Sequence, residues 1–383
     1  MPRAPDSILI SAGEPSGDYY AAQLLQHLRR RWPSCAFFGC AGPHLRAEGV
    51  EPVIRTEDLA VVGLVEVLRH LPRIWLCYRK LIAVTTARKP ALAILTDSPD
   101  FHFRVAARLH RKGIPVVYLI APQVWAWRRG RVKTMRRIID CLLCIFPFEE
   151  EFFQRHGVPV RYIGHPLASR VRPSLSRDDF FRKHNLAPDR PLVAVLPGSR
   201  PSEAVRHLPE LKRAAKIMSQ DGPASFVLPA SPACGVELFE KHLKDSPIQP
   251  IEGEAWDAMA YCDVALAASG TVTVEAALLG APMVTFYRVT ALSWALGKML
   301  VRVPFYSMVN LIAERQVVPE LMQENMTGER LADEARRLLR DGAERAKMKA
   351  ALRTVAAKLI QPGDPMERAA DEVVRVFEMR GKN

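Results

Sequence analysis

Two stretches in the second half of the chain, Leu196-Pro197-Gly198-Ser199-Arg200 and Ser269-Gly270-Thr271, place small residues between an apolar run and a helix-like segment. Free N–H groups at a helix start, joined by an arginine fork, suit a phosphate. Gly198 permits the sharp turn that such a corner needs. Ser199 stands beside Arg200 in that first corner, and the hydroxyls of Ser269 and Thr271 with the free N–H groups around Gly270 suit the other end of a diphosphate. Glu275, one helical turn past Thr271, is placed to accept hydrogen bonds from ribose hydroxyls when ionised. Either corner alone is a weak signal. Both in one half of the chain read as a site for one nucleoside diphosphate.

The first half offers acid–base chemistry. Asp97-Ser98-Pro99-Asp100 follows the apolar run Ala91–Thr96, and a carboxylate at such an end suits a general base. Asp97 lies nearer the run, whereas Asp100 also reads as a helix cap. Gly13-Glu14-Pro15-Ser16-Gly17-Asp18 follows another run and offers N–H groups to an anion around Ser16 and Gly17, with helix capping by Ser16 or Asp18 as the plain alternative. It is not G-x-G-x-x-G, and no ribose-binding acid follows a second strand, which disfavours a nicotinamide cofactor. Trp125 and Trp127 sit beside the basic cluster Arg128–Arg131 and suit carbohydrate or lipid phosphate, and Gln123 and Trp125 are candidates for a cleft. The plain reading is one core Trp and a solvated basic helix, and for Trp127 it is preferred. His165 is expected at a crevice, although a lone His is more often structural. Asn310 is an amide before an apolar segment, with capping as its alternative.

The apolar runs set the architecture. Ile8–Ala12, Ala36–Ala41, Ala91–Thr96, Val116–Ile120, Cys141–Phe146 and Val160–Ile163 read as strands, separated by amphipathic stretches such as Tyr19–Arg31 and Phe101–Lys112. Leu192–Leu196, Ala224–Leu228, Val264–Ala267 and Pro282–Phe286 resume the pattern. Near-continuous apolar strands alternating with helices indicate α/β domains with parallel sheets covered on both faces. The expectation is two Rossmann-like domains, 1–168 and 191–354, with a proline-bearing linker and small helix at 169–190 and a helical tail. Ligands of open α/β sheets bind past the carboxyl ends of the strands, so two such domains facing each other are expected to share a cleft.

A chain of 383 residues, 49% apolar, is large enough for two cores. Its most apolar segment, Leu59–Val84, is broken by Glu66, Arg69, His70 and Pro72 and is no spanning candidate. The N-terminus lacks the apolar run of a signal peptide, and a cytoplasmic protein is expected. Leu59–Val84 has too many apolar residues for one buried stripe, and Arg69, His70, Arg73, Arg79 and Lys80 are interspersed. That composition suits a surface resting on anionic lipid, with a buried core helix as the alternative. Tyr287–Phe305 reads as a similar apron. The net charge of +13 implies an anionic partner. Aromatic–basic interleaving occupies a single short segment, so nucleic acid is not favoured. Seven cysteines, including Cys141 and Cys144 in an apolar run, read as reduced core thiols rather than metal ligands.

The set GEPSGD, FGCAGPHLRAEGV, EDLAVVGLVEVL, DSPDF, APQVWAWRRGRV, FPFEEEFF, YIGHPL, LPGSR, ASGTVTVEAALLGAPMVTFYR and VNLIAERQVVPELMQ, in this order, closely resembles the lipid-A-disaccharide synthase family. The resemblance covers roughly Ile8 to Gln323, and departs from the usual pattern at Pro15 and at Met308-Val309. It implies a GT-B glycosyltransferase that inverts the anomeric carbon and needs neither cofactor nor metal. The donor would be UDP-2,3-diacylglucosamine, the acceptor 2,3-diacylglucosamine 1-phosphate (lipid X), and the products the β(1→6) disaccharide 1-phosphate and UDP. It further implies Asp97 as base, Glu275 as the ribose-binding acid, and Asn310 as a residue needed for activity. A peripheral position on the cytoplasmic face of a Gram-negative inner membrane is implied too. So is a return of the final helices, about 355–383, to the first domain, and in some members a homodimer formed by exchange of C-terminal parts. The rivals are another UDP-sugar GT-B enzyme, such as the peptidoglycan N-acetylglucosaminyltransferase or a UDP-sugar epimerase, and a non-catalytic binder of anionic lipid or nucleic acid. The last leaves Asp97, Arg200 and Glu275 at strand ends unexplained.

Overall fold

The computed structural model describes residues 4–59, 64–301 and 303–380. The chain folds as two units, Met1–Pro166 with Gln361–Asn383, and Leu167–Ile360.

The first unit is built on β1 (Ser7–Ala12), β2 (Ala36–Ala41), β3 (Glu51–Arg55), β4 (Leu92–Thr96), β5 (Val116–Leu119), β6 (Cys141–Cys144) and β7 (Val160–Tyr162). Their order is β3-β2-β1-β4-β5-β6-β7, and every pairing is parallel. The central strands are buried on both faces, which is why they read as unbroken apolar runs. The helix Pro15–Arg31 follows β1. Pro15 occupies its first turn, where a missing N–H costs nothing, and Arg29, Arg30 and Arg31 face the negative end of its dipole. Ala21, Leu24, Leu25 and Leu28 form its buried stripe.

The second unit contains β8 (Leu192–Leu196), β9 (Ser225–Ala230), β10 (Ile248–Glu252), β11 (Val264–Ala268), β12 (Met283–Tyr287) and β13 (Glu320–Met322). These are ordered β10-β9-β8-β11-β12-β13, again all parallel. In each sheet the order reverses beside the first strand, between β1 and β4 and between β8 and β11. At such a switch point the two loops leave in opposite directions and open a crevice.

The stretch 169–190, read as a linker with a small helix, carries the helix Arg177–Lys183. It belongs to the second unit, where Asp257 accepts hydrogen bonds from the Ser174 and Leu175 N–H groups at 2.8 and 2.7 Å. Phe180 and Phe181 of the helix Arg177–Lys183 are buried. The helix Gly342–Leu359 also stays with the second unit, and the chain returns to the first only from Gln361. The last helix, Pro365–Arg380, then lays Phe377 edge-on to Trp32 at 5.4 Å, and Arg368 donates to the Ile163 carbonyl. Cys141 and Cys144 are buried free thiols in β6, and burial pushes Cys141 up to about 12.

Candidate active site

The first unit brings two sequence-distant loops together at its switch point. Ala12 and Thr96 are register partners at the ends of β1 and β4, so the loop from Gly13 and the residue Asp97 emerge side by side. The Gly13 N–H donates to Asp97 Oδ1 at 2.7 Å and the Glu14 N–H to Oδ2 at 3.1 Å. The anion held by this glycine-rich start is therefore the Asp97 carboxylate itself. Gly17 is required by closeness: a Cβ there would lie 1.6 Å from Asp97 Oδ2. Ser16 is exposed on the same first turn.

Asp97 is 12% exposed through its side chain. Burial, joined by the nearby Glu14 charge, outweighs the two N–H donors and pushes its pKa up to about 8. The Ser98 hydroxyl is a further hydrogen-bond partner of the same carboxylate and also lowers its pKa, without reversing the effect of burial.

Its backbone is unusual. Asp97 and Ser98 have φ of 54° and 36°, two successive non-glycine residues in the left-handed region. Each costs on the order of 1–3 kcal/mol. The Asp97 carbonyl receives the Tyr118 hydroxyl at 2.5 Å and His102 Nδ1 at 3.0 Å. Both side chains are fully buried. Relaxing the turn would orphan two buried donors at about 1–3 kcal/mol apiece, enough to offset the strain. Burial lowers the His102 pKa to about 4, so the ring is neutral near pH 7. With Nδ1–H directed at a carbonyl, Nε2 must accept from the Ser11 hydroxyl, 2.8 Å away.

Other expected residues of this unit stand differently. Asp100 is ion-paired to Arg128 and Arg131. Burial works against it, but the two guanidinium groups hold its pKa below the usual carboxylate value, which makes it a poor base. The two tryptophans exchange their expected places. Trp125 is buried and donates to Glu149 at 3.0 Å, whereas Trp127 is 41% exposed with Arg128 4.0 Å over its ring. Gln123 is exposed at the start of the Val124–Trp127 turn. His165 is buried; its ring lies 5.1 Å from Phe146, and burial lowers its pKa to about 4.

In the second unit the two corners also meet at a switch point, since Leu196 of β8 pairs with Ala267 of β11. Gly198 has φ of 117°, a conformation that excludes other residues without strain. Arg200 stands just before the helix Pro201–Gln220, its side chain 77% exposed. Glu203 steadies it at 3.3 Å and accepts the Tyr287 hydroxyl at 2.7 Å. Burial, then Glu203, pushes the Tyr287 hydroxyl up to about 12. Buried His207 spans the corner, Nδ1 to the Pro197 carbonyl at 2.7 Å and Nε2 to the Arg288 N–H at 3.1 Å. Arg288 is thereby an internal brace, also bonded to Glu210, and not part of a lipid-facing apron.

Ser199, Gly270 and Thr271 are exposed. The Ser269 hydroxyl is already engaged by the Tyr306 carbonyl at 2.8 Å. Glu275 has its pKa raised by burial, against a hydrogen bond from Trp256 that lowers it. Asn310 is fully buried and all its hydrogen-bonding groups are used. Its Nδ2 donates to the Val318 carbonyl and to Glu320, and its Oδ1 accepts from the Val317 and Val318 N–H groups. Glu320 in turn accepts the Tyr306 and Ser307 N–H groups. Asn310 is thus linked through Glu320 and the Tyr306 backbone to the Ser269 hydroxyl.

The residues that sequence reasoning passed over are Ser11, His102, Tyr118, Trp256, His207 and Tyr287. A polar tip in an apolar strand, as at Tyr118, and an imidazole on the buried face of a helix, as at His102, are the signals that mark such partners. Among the described residues no cluster of three or more His, Cys, Asp or Glu is arranged to hold a metal.

The helix Leu64–Arg88 bears on the lipid reading of Leu59–Val84, of which residues 60–63 and the side chains of 64–70 lie outside the described residues. Leu81 faces the core, while Leu71, Trp75 and Leu76 are 46%, 54% and 60% exposed. Arg79 stacks over Trp75 at 4.7 Å. No helix among the described residues is long and apolar enough to cross a membrane.

Known proteins share this arrangement. The crystal structure of a UDP-N-acetylglucosamine 2-epimerase described as putative, from Listeria monocytogenes, is similar in fold, with a TM-score of 0.62 at 13% identity over 99% of this chain and 97% of that one. MurG of Acinetobacter baumannii gives 0.59 at 15% identity over 96% and 99%. These likenesses show the GT-B fold alone. A lipid-A-disaccharide synthase of Solibacter usitatus is 61% identical over 371 residues, 97% of each chain. The family described as lipid-A-disaccharide synthetase (LpxB) matches residues 8–374, a span that takes in both sheets and both switch points, and the chain belongs to that family.

Proposed function

We propose that this chain transfers 2,3-diacylglucosamine from its UDP conjugate to the 6-hydroxyl of 2,3-diacylglucosamine 1-phosphate. The products are the β(1→6) disaccharide 1-phosphate and UDP. The observation that carries the proposal is Asp97: a largely buried carboxylate at the switch point of the first unit, pushed up to about 8. A carboxylate of ordinary pKa is a weak base toward a sugar hydroxyl, and a raised one accepts the proton more readily.

In the proposed step the acceptor oxygen attacks the donor's anomeric carbon from the face opposite UDP. Its proton passes to Asp97, and the carbon–oxygen bond to the β-phosphate breaks, leaving its electron pair on UDP. Arg200 and the start of the helix Pro201–Gln220 neutralise that charge, with Ser199, Gly270 and Thr271 beside them. Glu275 receives the ribose hydroxyls. Asn310 holds the Ser269 corner in place.

We infer also that Leu71, Trp75 and Leu76, with Arg73 and Arg79 around them, rest on the anionic inner-membrane surface from which diacylated substrates come. The test is to incubate purified protein with UDP-2,3-diacylglucosamine and lipid X and to follow the disaccharide by mass spectrometry. Release of UDP together with a tetraacyl disaccharide is the expected result. Neither product with both substrates present rejects the proposal.

A further inference from the structure

We propose that Tyr118 and His102 are positioning residues for the transfer. They clamp the Asp97 carbonyl, and this fixes where the Asp97 carboxylate points and how basic it is. The inference rests on the reading of Asp97 as the base.

The two donors arrive from different elements. Tyr118 comes from β5, the strand next to β4, and its ring packs against Phe103 at 5.6 Å. His102 comes from the helix Pro99–His110 that the turn itself begins. Both bonds end on one carbonyl oxygen, at 2.5 and 3.0 Å. The His102 ring is locked from its far side by Ser11 on β1 at 2.8 Å. Strand β5 and the helix Pro99–His110 thus converge on the peptide after Asp97, with β1 bracing the helix side through Ser11, at the residue pair with left-handed φ. That backbone state turns the side chain back over β1, where Gly13 and Glu14 donate to it and Gly17 leaves room for it.

The basicity of Asp97 depends on the same placement, because burial is the largest influence on it. A freed Asp97 would reach solvent and its pKa would move toward that of an ordinary carboxylate. Tyr118 and His102 themselves stay out of the proton transfer. Tyr118 is fully buried and burial raises its pKa well above the ordinary value, while His102 is neutral.

The test compares Tyr118→Phe, which keeps the ring, with His102→Gln and His102→Ala, each first shown by thermal unfolding to fold. Tyr118→Phe is expected to lower kcat at least tenfold, with KM for the UDP-sugar within twofold of the parent. The rising limb of kcat/KM against pH should move toward acid by half a unit or more. His102→Gln, which keeps a donor, should exceed His102→Ala in kcat by at least threefold. Parental kcat and an unmoved limb in either the Tyr118 or the alanine variant would overturn the clamp. So would a fall in kcat with an unmoved limb in a folded variant, because packing alone accounts for that. Should Tyr118→Phe not fold, the two His102 variants decide the matter by the same readouts. Asp97→Asn separates the two levels: near-parental turnover there rejects the base, whereas an inactive Asp97→Asn beside an unaffected Tyr118→Phe rejects the clamp alone.

Discussion

At the scale of single residues, two aspartates three positions apart have opposite fates. Asp97 is enclosed and pushed up, whereas Asp100 is paired with two arginines and held down. If Asp97 is the base, Asp97→Asn lowers kcat by at least ~10²-fold, the range for loss of a general base. The pH profile follows from the sign of the shift. The working form is the carboxylate, so below about 8 the active fraction falls with each step toward acid. The rising limb of kcat/KM should therefore lie well above the ordinary carboxylate range; a limb near pH 4 would refute the assignment. Among the described residues the guanidinium of Arg200, itself largely exposed, pairs with Glu203, a contact worth little where solvent reaches it and readily exchanged for a phosphate. A charge-assisted hydrogen bond contributes about 1.5–3 kcal/mol. Arg200→Ala should thus weaken UDP binding by roughly tenfold or more in calorimetry, and unchanged affinity removes it from the phosphate site.

At the scale of elements, the helix Pro15–Arg31 and the end of β4 are fitted to each other through Gly17. An alanine there would place its Cβ 1.6 Å from the Asp97 carboxylate, which cannot swing aside without losing the Gly13 and Glu14 bonds. Gly17→Ala is expected to cost about 1–3 kcal/mol of stability by overpacking and to reduce turnover nearly as far as Asp97→Asn. Thermal unfolding and steady-state rates measure both. The helix Leu64–Arg88 gives the prediction for lipid. Replacing exposed Trp75 and Leu76 by Glu should leave stability within about 0.5 kcal/mol, as for other surface changes. It should also cut pelleting with anionic vesicles severalfold. Undiminished pelleting would take this face off the membrane.

At the scale of the whole molecule, the first unit is completed by residues from the far end of the chain. Ala369, Ala370 and Val373 are buried there, Phe377 covers Trp32, and Arg368 satisfies the Ile163 carbonyl. Each buried large apolar side chain contributes about 1.5–3 kcal/mol, against a total stability of about 5–15 kcal/mol for a domain. Deleting residues 361–383 should therefore unfold the first unit at the working temperature while the second still binds UDP. Two resolved transitions, or one lost and one kept, are the calorimetric readout. An unchanged melting profile would show the last helix to be dispensable.

The sequence by itself determined the central strands, the corners that follow them and the family. Buried parallel strands must be apolar on both faces, and β2 and β8 fall on the runs read for them. It did not reveal β3, β10 or β13. All three lie at sheet edges; β3 and β10 are half exposed and carry Pro52 and Pro250, where a missing N–H is tolerated, and β13 is only three residues long. Nor did local pattern separate Trp125 from Trp127, or show that Asp100 is paired with Arg128 and Arg131 while Asp97 is enclosed. Those distinctions arise from contacts between residues far apart in the chain, such as the Gly13 N–H on Asp97 across 84 positions. Periodicity records which way a side chain faces within its own element. Only the packed structure decides how much water remains around a carboxylate, and that sets its charge.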